Sequence, residues 1–315
     1  MHDYLPLLAA VAPVFIQIAL GWLIRRIGWL SEEADASLLR VIVNLLYPCL
    51  ILDTILGNPA LEKAGNVLLA PVIGFVSVVM GFAISYAVAP LIGSGESRQR
   101  RTFAFTTGLY NYGYLALPIA AKFGTGTSGV LFIHNLGVEV ALWTVGIMVI
   151  SGASRGTGWR QVLSAPVIAI VCAAVLHFAG ARTWMPGVVL KTVSNLGATA
   201  LPLGLILTGA TFADHIRDLS ARSSPLTTAS ACLLRLAVLP LLMLSLARVL
   251  PCPVELRRVI VIQASMPCAL FPVLLSKLYG GDPATALRII LFTSALGILT
   301  IPFWLQLGLQ WTGAN

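Results

Sequence analysis

An apolar run at residues 102–121 carries Asn111, Gly113 and Pro118 near its centre. The run is long enough to cross the hydrocarbon core of a bilayer as a helix. Proline lacks the N–H that a continuing helix needs, and glycine lets the backbone leave helical geometry at low steric cost. Irregular backbone at membrane depth persists only where it is buried in protein or lines a wet cavity. The sequence therefore predicts two half-helices joined by an unwound segment at residues 111–118.

A second apolar run, residues 258–278, contains Pro267 and Pro272 at the same five-residue spacing that separates Gly113 from Pro118. Both runs follow an Arg-Arg pair, and both end in Lys, an aromatic residue and Gly. Interrupted helices in corresponding places of two halves indicate the binding site of a secondary transporter. The second break is predicted at residues 265–272. The alternative is a pair of kinked packing helices, because single Pro and Gly residues are common in membrane helices.

The rest of the chain has the composition of an integral membrane protein. Hydrophobic residues make up 58% and charged residues 10% of the chain, whereas an average soluble domain has roughly 25% charged residues. The net charge of +8 comes from short basic clusters that suit anionic lipid headgroups, so membrane lipids rather than nucleic acid are the expected partners. Ten apolar runs have about the length of a membrane-crossing helix: 5–24, 38–57, 66–92, 102–121, 129–151, 162–180, 187–212, 227–250, 258–278 and 285–309.

Ten helices divide into two groups of five, with the broken helices 4 and 9 in corresponding places. The first five-helix repeat is predicted at 1–152 and the second at 160–315. An odd number of crossings per repeat places the two repeats in opposite orientations, so the predicted fold is an all-α membrane protein with inverted repeats. The loops that follow the odd-numbered helices carry more Lys and Arg, so we assign them to the cytoplasm. The expected location is the inner cell membrane, with both termini on the non-cytoplasmic side.

Short motifs along the whole chain carry a resemblance to a known family. They are Gly21–Arg26, Asn44 with Pro48, Asn111–Gly113, Leu117–Ile119, Pro202, Leu207–Ala210, Gln263, Met266–Pro267 and Tyr279–Gly280. In this order and spacing the chain resembles the bacterial branch of the auxin efflux carrier family. That family includes the plant PIN-type carriers and bacterial proteins described as carriers of malonate or related carboxylates. The resemblance implies a secondary transporter of a small carboxylate, malonate-like or auxin-like.

The resemblance also implies an architecture like that of the bile acid:sodium symporters. Helices 4 and 9 would cross at their breaks inside a mobile transport domain of helices 3–5 and 8–10. Helices 1, 2, 6 and 7 would form a scaffold, through which two copies of the chain could dimerise. Transport would then proceed by alternating access of the elevator type. Asn111 would contact the substrate carboxylate.

The substrate-binding candidates are polar or conformationally special residues at the breaks. Asn111 carries an amide that both donates and accepts hydrogen bonds, and the freed N–H groups of a broken helix favour an anion. Asn111 could instead only cap the broken helix, and Gln263 could only form a hydrogen bond between helices. The candidates are Asn111, Gly113, Tyr114, Pro118, Gln263, Met266, Pro267 and Asn44.

Three ionisable residues inside the apolar runs are candidates for coupling or charge pairing: His134, Glu139 and Arg235. Ionisable groups within membrane helices are functional candidates by default. Glu139 or His134 could take up a proton during transport. Arg235 could attract an anionic substrate, or it could neutralise Glu139 or Asp53. We expect the Glu139–Arg235 pair, because an unpaired charge in lipid is costly.

No cofactor is expected beyond a coupling ion, H⁺ or Na⁺. A Na⁺ site could draw on oxygen atoms of Thr106, Thr107 and Ser265 beside those of Asn111 and Gln263. The chain lacks a Walker-type GxxxxGK[ST] motif, so the sequence does not indicate an ATPase.

Two other functions are alternatives. One is an intramembrane enzyme using His134, Glu139 or His215, against which stands the absence of an HExxH motif. The other is a channel or an accessory membrane subunit.

Overall fold

The computed structural model of the chain describes residues 4–92, 97–152, 165–215 and 225–314. The predicted boundary between the two repeats, at 152–160, lies almost entirely outside these residues. Helices are numbered here by the apolar run that each occupies, with letters for half-helices. They are α1 (Tyr4–Arg26), α2 (Glu32–Ile55), α3 (Ala64–Val88), α4a (Ser97–Gly108), α4b (Ala116–Lys122), α5 (Thr125–Ser151), α6 (Ala165–Phe178), α7 (Gly187–His215), α8 (Pro225–Val249), α9a (Val254–Ser265), α9b (Phe271–Leu278) and α10 (Pro283–Thr312).

The architecture of the described residues is helical, with one isolated β-bridge. Six helices are each long and apolar enough to cross a membrane: α2, α3, α5, α7, α8 and α10. The described part of α6 has only 14 residues. The fourth and ninth apolar runs are each divided into two helices that are too short to cross alone. The chain is therefore a multi-pass membrane protein in which part of the apolar sequence does not form simple spanning helices.

The two breaks lie close to their predicted positions but end earlier than the sequence indicated. Residues 109–115 separate α4a from α4b, and residues 266–270 separate α9a from α9b. Pro118 is the third residue of α4b, and Pro272 is the second residue of α9b. A proline is tolerated in the first turn of a helix, because the N–H it lacks would have no helical partner there. These prolines therefore lie in the first turns of the second half-helices and do not belong to the unwound segments.

The two breaks contact each other through their backbones. Tyr110 and Cys268 form an antiparallel β-bridge. The N–H of Asn111 donates to the carbonyl of Pro267 over 2.8 Å, and the N–H of Ala269 donates to the carbonyl of Leu109 over 2.9 Å. Backbone groups released by one broken helix thus find partners in the other, as buried backbone groups require. The contact confirms that the two interrupted runs meet at their breaks.

Helices α1 and α7 approach each other closely enough to exclude side chains at two positions. A Cβ atom at Gly209 would lie 1.9 Å from the carbonyl oxygen of Ile18, and one at Gly21 would lie 2.0 Å from that of Ile206. Small residues allow such close backbone packing between membrane helices. Helix α2 packs on α7 and on α6, so α1, α2, α6 and α7 form one contiguous group.

The remaining helices form a second group around the two breaks. Helix α3 packs along α5 and α4a, while α9a packs against α10, α8 and α5. Ion pairs link helices within each group. Arg25 of α1 contacts Asp35 of α2 at 2.5 Å and Asp214 of α7 at 3.2 Å. Lys63, just before α3, contacts Glu255 of α9a at 2.6 Å. The Arg25–Asp214 and Lys63–Glu255 pairs join helices that also pack on one another.

The close packing of α1 on α7 predicts that Gly209→Ala destabilises the protein. The new methyl group would meet a backbone oxygen, so the two helices would have to separate, at a cost of about 1–3 kcal/mol. Thermal unfolding of the purified protein in detergent should show a lower midpoint. Gly187→Ala is the matched control in the same helix, since no atom lies within 4 Å of a Cβ there. Equal midpoints for the two variants would contradict the packing described.

Candidate functional site

A cavity of about 440 Å³ lies between α1, α7, α10 and the two breaks. Most of its wall is apolar and much of it is aromatic. Among the described residues, its polar side chains are those of Asn111, Thr208, Ser294, Tyr114 and Trp22. The aromatic residues that line it are Phe15, Trp22, Tyr114, Phe212 and Phe292. The cavity has the size and mostly apolar character of small-molecule sites, with a few polar groups that can orient a ligand.

A second, smaller cavity of about 150 Å³ lies on another side of the same breaks, between α2, α5 and α6. Its wall contains the carboxyl group of Glu139, together with residues of the first break. The remaining wall residues include Val43, Tyr47, Tyr112, Gly113, Trp143, Pro166 and Ala269. Three residues line both cavities: Asn111, Tyr114 and Leu270. The two cavities therefore meet at the contact between the breaks.

Asn111 combines a contact at the start of α4b with a position in the wall of both cavities. Its side-chain oxygen accepts a hydrogen bond from the N–H of Leu115 at 3.4 Å, which caps the start of α4b. The same residue lines both cavities while only 6% exposed. Its backbone N–H is held by Pro267, so its position is fixed from two directions. Asn111 can therefore cap the half-helix and still present an amide to the cavities.

Tyr114 separates the two cavities. Its ring rests against α7 at Gly204, where a Cβ atom would lie 2.2 Å from the ring. It also meets Tyr47 of α2 edge to face, with the ring centroids 6.0 Å apart. A Cβ atom at the neighbouring Gly113 would lie 2.9 Å from the hydroxyl of Tyr47, so a larger residue would crowd the smaller cavity.

Glu139 is held by two neutral donors, which corrects the predicted ion pair with Arg235. The hydroxyl of Tyr112 donates to one carboxylate oxygen at 2.8 Å, and the indole N–H of Trp143 donates to the other at 2.9 Å. Within the described part of the chain, no ion pair joins Glu139 to Arg235. The two donors satisfy the carboxylate without a cation, which is why the pair is not required.

Arg235 lies elsewhere, against the contact between the breaks. It is 1% exposed and belongs to a π-helical turn, Leu234–Val238, within α8. Its guanidinium group stacks over the ring of Tyr110, 5.5 Å from the ring centroid. One of its terminal nitrogens lies 3.9 Å from the sulfur of Met243, and its Nε has no hydrogen-bond partner. A π-helical turn within an α-helix frequently marks a functional position.

Gln263 and His134 belong to a polar cluster behind the first break and do not line either cavity. The side-chain N–H of Gln263 donates to the side-chain oxygen of Asn135 at 3.0 Å, which is the helix–helix hydrogen bond considered above. Asn135 in turn donates to the carbonyl of Tyr112 at 2.9 Å. His134 is buried, with its ring 6.4 Å from that of Tyr110. This cluster holds the unwound backbone in place.

The other sequence candidates occupy different surroundings. Met266 is fully buried in the second break, and Pro267 contributes its carbonyl to Asn111. Pro118 lies inside α4b. Asn44 is exposed, and its side-chain N–H donates to the carbonyl of Arg40 one turn earlier in α2. The structure therefore brings Asn111, Gly113 and Tyr114 together at the cavities, but it does not bring Asn44 there.

Sequence reasoning missed two parts of the site. The wall formed by α1, α7 and α10 is apolar, and an apolar stripe on a membrane helix does not reveal whether it faces a cavity or lipid. The hydrogen bond of Trp143 to Glu139 did have a signal. The two residues are four positions apart in one helix, a spacing that places side chains on the same face.

Comparisons with known proteins indicate what kind of protein this chain is similar to. The sequence model of the membrane transport protein family matches twice, over residues 6–158 and 153–305. An uncharacterized transporter of Methanothermobacter thermautotrophicus is 26% identical over 300 residues, which cover 93% of this chain and 96% of that protein. An uncharacterized transporter of Methanocaldococcus jannaschii is 22% identical over 297 residues, which cover 92% of this chain and 95% of that protein.

The polar cluster behind the break predicts coupled effects of two substitutions. Asn135→Leu should lower the free energy of unfolding by about 1–3 kcal/mol, because it removes the hydrogen bonds of Asn135 to the Gln263 amide and the Tyr112 carbonyl. These two groups then keep only their contact with each other, at 3.5 Å. Gln263→Leu alone should also destabilise. The double variant should lose less than the sum of the two losses, since it removes both members of one hydrogen bond. Thermal unfolding of the four proteins measures this, and strictly additive losses would contradict the cluster.

Proposed function

We propose, because the chain belongs to the membrane transport protein family, that it is a secondary transporter of a small organic anion. The observation that carries the proposal is the large apolar cavity that reaches Asn111 at the contact between two broken helices. Broken helices that meet at a ligand cavity are the arrangement in which secondary transporters hold their substrates. Family membership and the names of the relatives indicate a transporter rather than an enzyme.

The lining of the large cavity supports a particular kind of anion. A carboxylate head group could accept hydrogen bonds from the amide of Asn111 and a donor such as Ser294, which face the same cavity. The rest of the wall offers aromatic and aliphatic surface to the body of the substrate. A compact dicarboxylate such as malonate would leave its second charge against apolar side chains, at a high desolvation cost. Among carboxylates, we therefore propose an auxin-like one with a single charge and an apolar body.

The proposed architecture has ten membrane helices in two inverted five-helix repeats. Two observations support it: the family's sequence model matches the two halves separately, and the two broken runs occupy corresponding places in them. In the proposed mechanism, α3–α5 and α8–α10 move as a transport domain against a scaffold of α1, α2, α6 and α7. The large cavity lies between the scaffold helices α1 and α7 and the breaks, where such a movement would alter access.

The proposed orientation places both termini on the non-cytoplasmic side of the inner cell membrane. The residues of α1 that line the large cavity run from Phe15 to Trp22, toward the basic end of the helix at Arg25 and Arg26. Basic helix ends favour the cytoplasm, so the cavity would open inward in this conformation. A homodimer through the scaffold helices stays a prediction.

Proton coupling is the proposed energy source, with Na⁺ as the alternative. Glu139 lines the smaller cavity, next to Asn111, so its negative charge would oppose a bound anion. Protonation of Glu139 would remove that repulsion. The groups that face its carboxyl are Tyr112 from the first break, Trp143 from its own helix and Tyr47 from α2. These Tyr and Trp side chains are ordinarily neutral between pH 5 and 8, so Glu139 is the group of this cavity whose charge we propose to change during transport.

Counterflow into sealed vesicles containing the purified protein tests the proposed function. Vesicles loaded with unlabelled carboxylate should take up labelled indole-3-acetate or phenylacetate faster than empty vesicles, and uptake should saturate. A channel would give no acceleration by internal substrate. An enzyme would change the labelled compound chemically. The absence of saturable uptake for every carboxylate in a broad panel would contradict the proposal.

The proposed substrate contact predicts that Asn111→Ala weakens binding of the transported carboxylate by about 1–3 kcal/mol, the typical cost of removing a hydrogen bond to a charged group. The dissociation constant can be measured by calorimetry on the purified protein. Asn44→Ala makes the same chemical change at an exposed position away from the cavities and should bind like the wild type. Equal losses in both variants would argue against a site at the breaks.

The proposed coupling predicts the behaviour of Glu139→Gln, which imitates the protonated carboxyl. Wild-type uptake should rise as the loading side becomes more acidic, whereas the variant should transport without this pH dependence. Because Glu139 forms no ion pair with Arg235, the variant should also keep wild-type thermal stability. Glu255→Gln, which removes a carboxylate far from the cavities, should retain the pH response. A stable Glu139→Gln protein with wild-type pH dependence would exclude Glu139 as the coupling group.

A further inference from the structure

Arg235 is a buried positive charge whose surroundings do not neutralise it. Its side chain is 1% exposed, and none of the ion pairs within the described residues includes it. Arginine stays protonated in proteins and has five N–H donors. Here one of them reaches a methionine sulfur at 3.9 Å, and the buried Nε has no hydrogen-bond partner. Such a group is costly to hold within a membrane protein and is a functional candidate for that reason.

The position of Arg235 connects it with the contact between the breaks. Its guanidinium group stacks on Tyr110, one of the two residues of the β-bridge. The hydroxyl of Tyr110 is paired with that of Ser77 at 2.8 Å, which holds the ring in place. The next residue after Tyr110 is Asn111, which lines both cavities. Arg235 itself lines neither cavity, and its contact with the site is through the ring of Tyr110.

We propose that Arg235 is the positioning residue whose permanent charge makes the cavity at Asn111 select anions over neutral molecules of the same shape. This inference rests on the proposed transport of an organic anion and extends it to the source of charge selectivity. Opposite charges roughly 10 Å apart attract each other at an effective dielectric constant of about 20 by enough to change affinity on the order of tenfold. Arg235 does not need to touch the ligand for this effect.

The role assigned to Arg235 differs from that of Glu139. Glu139 lines the smaller cavity and can gain or lose a proton, so its influence on an anion changes with pH. Arg235 remains charged at every physiological pH. Its contribution to anion affinity should therefore be present whether or not Glu139 is protonated. A merely structural arginine would stabilise the fold without distinguishing a charged ligand from a neutral one.

The test compares carboxylates with their amides, which have nearly the same shape but no charge. The probes are phenylacetate with phenylacetamide, indole-3-acetate with indole-3-acetamide, and malonate with malonamide. Dissociation constants are measured by calorimetry for the wild type, Arg235→Met and Arg235→Lys at low and moderate salt. Arg248→Met is the matched control. Arg248 lies at the end of the same helix and also stacks over an aromatic ring, 5.9 Å from the centroid of Trp311.

The expected result is a loss of carboxylate affinity on the order of tenfold in Arg235→Met, with amide affinity unchanged. Arg235→Lys should keep most of the preference for the carboxylate, and Arg248→Met should behave like the wild type. Equal losses for carboxylate and amide would make Arg235 structural and overturn the inference. Unchanged carboxylate affinity in a folded Arg235→Met protein would overturn it as well. If Arg235→Met does not fold, Arg235→Lys becomes the deciding variant. Because lysine keeps the positive charge, loss of the carboxylate preference in Arg235→Lys would show that the charge is not the cause of that preference.

The same experiment separates this inference from the proposed function. A wild-type protein that binds none of the three carboxylates contradicts transport of an organic anion by this site. A wild-type protein that binds a carboxylate while Arg235→Met binds it equally well contradicts only the role of Arg235.

Discussion

The backbone pairing between the two breaks is the interaction on which the rest of the structure depends. A helix interrupted within a membrane leaves N–H and C=O groups without water to bind them, and each such group is costly. Here the unwound segments satisfy one another through Asn111, Pro267, Leu109 and Ala269. Side chains complete the arrangement, since Asn135 binds both the carbonyl of Tyr112 and the amide of Gln263. Residues of the two breaks, Asn111, Tyr114 and Leu270, line both cavities, so both cavities meet at this pairing.

The separation of Glu139 from Arg235 gives the site two charges with different behaviour. Glu139 is satisfied by Tyr112 and Trp143, whereas Arg235 stacks on Tyr110 and forms no ion pair within the described residues. In the proposed mechanism, an ionised Glu139 opposes the field of Arg235 at Asn111. A protonated Glu139 leaves that field unopposed. Proton uptake and anion uptake would then favour each other without direct contact between the proton and the substrate.

The sequence predicted the breaks well because their causes are local. Proline and glycine change backbone geometry wherever they occur, so two interrupted runs could be identified without knowledge of the packing. The limits of the breaks depended on where the second half-helices begin. Pro118 lies in the first turn of α4b and not in the unwound segment, because a proline is acceptable in a first helical turn. The cavity walls of α1, α7 and α10 could not be predicted, since an apolar residue facing a cavity resembles one facing lipid. The expected Glu139–Arg235 pair was wrong because two neutral donors, Tyr112 and Trp143, satisfy the carboxylate, and a count of charges does not consider such donors.

The two halves share a backbone pattern but not a chemistry. The first break supplies Asn111 and the tyrosines that surround Glu139, whereas residues 266–270 of the second break are Met, Pro, Cys, Ala and Leu, without an amide or carboxyl side chain. The second half instead contributes Arg235 from α8 and much of the apolar wall from α7 and α10. Recognition of the head group would therefore rest on Asn111 of the first half, helped by Ser294 of α10, while charge bias and substrate shape would be set largely by the second half. In an elevator-type movement α4, α8 and α10 would travel together, so the head group and its electrostatic environment would stay matched. Only the walls from α1 and α7 would then change. They contact the apolar body of the substrate, which can exchange one apolar surface for another at the smallest cost in free energy.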